Sequence, residues 1–168
     1  MNLIEIKSMK ELTIYFGKYL ANAEFEKFRT KHFPNATKYN SQLQFIRCKD
    51  SKLELGFTNE RMIRESDAEK LLRGGKPIFT NFFIYETSEK LFDSLPFGVT
   101  FKDSLEEIEQ KAGKPKDRKN IKNPFFGNVT SLHYHTTDNV KIIFTFDNIQ
   151  SKLTQIGVEQ LQKEITES

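Results

Sequence analysis

The sequence predicts an α+β protein built on antiparallel sheet with helices on one face, and three observations carry that reading. Alternating apolar residues recur, as Leu53, Leu55 and Phe57 and again as Val140, Ile142, Phe144 and Phe146. That is the period of a strand with one buried face. Between them lies a helix with both ends marked. Ser104 and Glu107 have capping-box spacing, Leu105, Ile108 and Ala112 share a face, Gly113 suits a left-handed C-cap and Pro115 blocks continuation. Finally, each half reads helix, hairpin, third strand. The chain therefore divides into an N-terminal α+β module, 1–94, and a C-terminal α-β-β-β module, 95–168, either as two units or as one continuous domain. A chain of 168 residues buries enough surface to fold without disulfides or metal.

From the start of the chain, Ser8 and Glu11 repeat the capping-box spacing, and Leu12, Phe16, Tyr19, Leu20 and Ala23 recur at helical intervals. A helix is expected to about Lys31, broken near Asn22 and ended by Pro34 and Asn35. Leu43 to Cys48 alternates, Lys49-Asp50-Ser51 turns, and Leu53 to Phe57 alternates again, which predicts a hairpin. A short helix is expected from about Asp67 to Leu72, stopped by Gly74 and Gly75. Ile78 to Tyr85 is rich in Phe and Ile and reads as a strand buried on both faces.

After the capped helix, Lys116 to Asn123 reads as a basic polar loop. Pro124 to Gly127 reads as a turn that tucks Phe125 and Phe126 into the core. Val129 to Thr136, Val140 to Phe146 and Leu153 to Glu159 predict three strands, and the last residues a polar, fraying helical tail. The hairpins also correspond in order. Leu43, Phe45, Asp50, Leu53, Leu55, Phe57 and Asn59 match Leu132, Tyr134, Asp138, Ile142, Phe144, Phe146 and Asn148 with one gap. Either an internal repeat or ordinary hairpin patterning accounts for this; a repeat lets both halves share one sheet with helices on one side.

A net charge of +3 with 29% charged residues is too balanced to imply nucleic-acid binding by itself. The single cysteine, Cys48, excludes an intramolecular disulfide. Met1 to Lys10 lacks a long apolar run and nothing reads as a bilayer span, so a cytoplasmic location is expected.

No residue set declares a reaction, and no cofactor or metal is expected. His133 and His135 point the same way from one strand, but a catalytic zinc takes three protein ligands, and His32 and Cys48 lie in the other half. Cys48 without a neighbouring His reads as a small buried hydrophobe. Gly74-Gly75-Lys76 lacks the spacing of a phosphate loop. The charged features left over are two candidate contact regions. One is basic: Lys114, Lys116, Arg118, Lys119 and Lys122. The other is acidic: Glu60, Glu65, Asp67 and Glu69.

The segment from Pro96-Phe97-Gly98 through "DSLEEIEQKAGKP" to Pro115, with Phe144 to Asn148 followed by Leu153, resembles small outer-membrane assembly lipoproteins of the SmpA/BamE kind. That resemblance implies a helix ending in Gly-x-Pro ahead of a three-stranded antiparallel meander, over roughly the last seventy residues. The chain departs from those lipoproteins in showing no export signal or lipidated cysteine. The same "LPFG-x-x-F-x-D-S-x-E-E" segment behind an α+β portion is similar to bacterial toxin–immunity proteins, including those of contact-dependent growth inhibition. This second resemblance implies a non-enzymatic protein that binds one cognate toxin domain, with no catalytic residues to carry over. The alternative is a scaffold or envelope-assembly-like interaction module.

Overall fold

Both halves of the chain contribute to one antiparallel sheet. The structure, a computed structural model, describes residues 8–64, 75–125 and 127–167. Its elements are α1 (Lys10–Thr13), α2 (Ala23–His32), β1 (Phe45–Arg47), β2 (Glu54–Asn59), α3 (Glu60–Arg64), β3 (Pro77–Ile84), α4 (Leu105–Ala112), β4 (Asp117–Asn123), β5 (Gly127–His135), β6 (Val140–Asp147) and β7 (Lys152–Gln160), with 3-10 turns at Glu86–Leu91 and Pro96–Gly98. The seven strands run β1-β2-β3-β7-β6-β5-β4. The halves join where β3 meets β7, with Phe82 opposite Val158 and Phe83 opposite Gly157. The fold is α+β, as the alternating runs imply.

One face of the sheet carries the core. Leu55, Phe57, Phe79, Phe82, Ile84, Leu132, Tyr134, Ile142, Phe144, Ile156 and Val158 pack there against Leu12, Phe25 and Ile108 from the helices. Phe79 lies at the middle of an aromatic cluster. Its ring centroid is 4.7 Å from Phe25, 5.1 Å from Phe16 and 5.7 Å from Phe57. The predicted phase of β6 holds, with Val140, Ile142, Phe144 and Phe146 all buried. In β3, Asn81 and Phe83 are only partly buried, so the second face of that strand is less covered than its composition suggests.

Helix α4 forms as its sequence dictates. Ser104 Oγ accepts from the Glu107 N–H at 3.2 Å, Glu107 Oε2 accepts from the Ser104 N–H at 2.8 Å, and Gly113 takes φ 82°. Lys111 donates to Asp103 at 2.8 Å, a tie to the segment before the helix in addition to any dipole effect. Ser104→Ala is expected to cost about 1 kcal/mol, read as a lowered urea midpoint with unchanged slope.

Several expectations are corrected. The helix from Ser8 to Lys31 is two helices with an extended piece between. Met9, without a side-chain cap, starts α1, so the Ser8–Glu11 box does not form. Gly17 takes φ 85° and donates to Phe79 O at 2.8 Å, Leu20 donates to Pro77 O at 2.9 Å, and Tyr19 bridges Ile78. Sheet bonding outweighs helical periodicity over this stretch. Asn22, the expected break, is the N-cap of α2, accepting from Phe25 N–H at 3.0 Å.

Along β1 and the residue after it the buried side chains are Ile46 and Cys48, whereas Leu43, before it, is 62% exposed. The proposed match between the hairpins thus holds for Leu53, Leu55 and Phe57 and slips on the first strand. The basic loop is strand β4, a fourth strand in the C-terminal half. Phe125 is 89% exposed at the β4–β5 turn and does not tuck in. The tail is not helical: Thr166 bonds Phe16 O and Gly17 O, and the Glu167 carboxylate accepts from Tyr19 N–H and Asn22 Nδ2. The helix expected at Asp67 to Leu72 lies outside the described residues. Among the described residues no helix is long and apolar enough to cross a membrane.

Candidate functional site

The two edges of the sheet are unequal. At β1 the segment 36–40 closes the edge. Thr37 donates to Arg47 O at 2.8 Å, Thr37 Oγ1 accepts from Arg47 N–H at 2.9 Å, and Asn40 donates to Phe45 O at 3.2 Å. At the far edge, β4 pairs along its length with β5, from Asp117 opposite His133 to Asn123 opposite Gly127. Among the described residues no segment bonds its outer side. An edge strand of this length with unpaired backbone groups is a template for another strand unless it is guarded.

Four of the five predicted basic residues are on or beside this edge as free or weakly tied cations. Alternation along β4 places Arg118, Asn120 and Lys122 toward the helix side and Asp117, Lys119 and Ile121 on the opposite face. Arg118 is committed, donating to Glu109 of α4 at 2.8 Å. Lys119 stands 3.7 Å from Asp117, both more than half exposed, so that pair contributes little. Lys114, Lys116 and Lys122 make no ion pair among the described residues. Ile121, 49% exposed, adds an apolar contact on the same strand.

Glu60, from the predicted acidic region, does not lie on this edge. Of that region's four residues only Glu60 is described, and it acts as a strut. Its carboxylate accepts from Lys76 N–H at 2.9 Å and from Tyr19 Oη at 2.8 Å. Those bonds, the Lys76 one foremost, hold its pKa below the ordinary carboxylate value. Glu65, Asp67 and Glu69 lie outside the described residues. Glu60 itself follows β2, in the opposite half of the sheet order from β4, with four strands between the two.

His133 and His135 share the sheet face opposite the core but not an environment. His133 is 7% exposed, its Nε2 3.0 Å from Ser131 Oγ, while His135 is exposed. Burial lowers the His133 pKa, helped by Lys141 and Lys119. With the folded pKa below the unfolded value of about 6.5, protonation opposes folding. Stability is therefore full above that value and falls as pH drops toward the folded pKa. His133→Gln is expected to flatten urea stability between roughly pH 7 and 5 relative to the parent chain. No group of three His, Cys, Asp or Glu suited to a metal occurs among the described residues. Cys48 is buried, which pushes its thiol up to about 12 against the opposing pull of Arg29, so it stays a neutral thiol.

Arg29 was not singled out by sequence reasoning. It is partly buried on α2, its guanidinium 5.2 Å from the Phe25 ring centroid, and Nη2 donates to Leu20 O at 3.2 Å. Its spacing, four residues after buried Phe25, was the available signal. Compared with protein-family models, curated proteins and solved structures, the chain matches none of them.

Proposed function

We propose that this chain is a non-enzymatic binding protein that grips a partner along the open β4 edge, and that the partner is a bacterial toxin domain which it neutralises. The observation that carries the reading is the asymmetry of the sheet: among the described residues one edge is closed by its own chain and the other is bare, with lysines that make no ion pair beside it. Strand addition supplies main-chain bonds, and the side chains beside it supply selectivity. Lys114, Lys116 and Lys122 select an acidic surface and speed encounter. The toxin identity comes from the resemblance of the Leu95 to Glu107 segment to immunity proteins.

The rival reading is that the lysines only guard the edge against self-association. Co-expression with the protein encoded beside this one separates the two. A one-to-one complex is expected, weakened roughly tenfold or more by combined Lys114→Glu, Lys116→Glu and Lys122→Glu. A neighbour that does not bind, or binds the triple variant equally well, would overturn the proposal. Aggregation of a triple Lys→Ala variant alone, without loss of any complex, favours the guard.

A further inference from the structure

A cavity of about 320 Å³ lies between α2 and the segment 34–39. Phe33, Ile46, Leu55 and Tyr39 supply apolar and aromatic lining. Among the described residues Arg29 and Lys38 are its only charged members, and no carboxylate lines it. Arg29 is the unusual member. Its Nε is buried with no hydrogen-bond partner, and Leu20 O is the one described acceptor for a guanidinium with five N–H donors. It makes no ion pair among the described residues. Glu26 acts on it without an ion pair, and lines a second cavity that Arg29 also borders, not this one.

A partly buried cation without an ion pair costs free energy, which the Phe25 ring, the Leu20 carbonyl and the more distant Glu26 offset only in part. Such a charge in a concave, mostly apolar site is a common mark of ligand binding. We propose that this cavity binds a compact monocarboxylate. The carboxylate pairs with Arg29, with Lys38 at the rim, and the apolar body lies against Ala36, Tyr39 and the edge of Phe33. The cavity is at the small end of ligand sites, which limits the body to one ring or a short branched chain. One partly buried guanidinium balances one negative charge, and the apolar walls offer contacts to an organic body that inorganic phosphate, partly dianionic at neutral pH, lacks. The inference is independent of the β4 reading, since the cavity flanks the closed edge of the sheet.

The test is titration of the full chain with phenylacetate and 4-methylpentanoate, alongside the uncharged amides of both and inorganic phosphate. Binding is followed by calorimetry and melting temperature. Saturable binding of at least one acid is expected, with none for its amide or for phosphate. Arg29→Met keeps the stem volume and removes the charge, so it is expected to bind about tenfold more weakly or worse. Its melting temperature without ligand is expected to be equal or higher. Lys38→Ala, on the surface, is expected to weaken binding several-fold and to carry the variant arm if Arg29→Met fails to fold. Absence of saturable binding for both acids, equal binding of the amides, preference for phosphate, or wild-type affinity in the variants would overturn the proposal.

Discussion

Phe79→Ala is expected to lower the unfolding free energy by about 3–5 kcal/mol, the largest loss from any single truncation considered. Phe79 is fully buried and its ring meets Phe16, Phe25, Phe57 and Phe82. These partners come from α2, from two strands and from the turn after α1. Truncation therefore leaves a void that no single element can close by shifting, and removes aromatic contacts beyond their buried area. For a chain of this length, the loss corresponds to a fall of about 6 to 20 °C in melting temperature. Phe83→Ala is the control. Phe83 is only partly buried on the face opposite the core, its ring over Gly157, and its loss is expected to be clearly smaller. Equal losses at the two positions would mean that the core does not lie on the helix side.

Gly17→Ala is the second large effect. Gly17 has φ 85°, and a Cβ there would sit 2.6 Å from Thr166 Cγ2 and 2.7 Å from the Glu164 carbonyl oxygen. The backbone strain is about 1–2 kcal/mol. The tail must also shift, putting at risk the bonds of Thr166 to Gly17 and Phe16 and of Glu167 to Tyr19 and Asn22. At roughly 1 kcal/mol for each part-buried bond, with some of them lost, a total near 2–4 kcal/mol is expected. In a chain truncated after Gln162 the same substitution is expected to cost only the strain. A double-mutant cycle on urea midpoints reads that difference as coupling. Zero coupling would show that the tail does not seat on Gly17.

Much of the fold was legible because local and global signals agreed. Ser104, Glu107 and Gly113 mark a helix whose ends need no tertiary information. Val140 to Phe146 alternates cleanly because one face meets helices and the other does not. Strand β4 was illegible for a related reason. An edge strand with exposed side chains needs no apolar alternation, and Ile121 is its single large apolar residue. The extended piece at Gly17 to Leu20 was masked by apolar residues at helical spacing, which the structure uses for bonding to β3 instead. The tail reads as polar because its anchors are a threonine hydroxyl, a carboxylate and backbone groups, which no hydropathy pattern reports. Of the candidate site, the basic residues were found and their strand was not. Arg29 was missed because a lone cation on a helix looks solvated until its neighbours are known.

Residue-resolved amide hydrogen exchange along β4 in the isolated chain tests the open edge most directly. Alternation is expected: the amides bonded to β5 exchange slowly, and those on the outer side exchange nearly as fast as unstructured ones. Arg47 of β1, bonded to Thr37, is expected to be protected. Uniform protection from Asp117 to Asn123 would mean the edge is already covered, and uniformly fast exchange would mean β4 does not pair with β5; either result contradicts an open strand available to a partner.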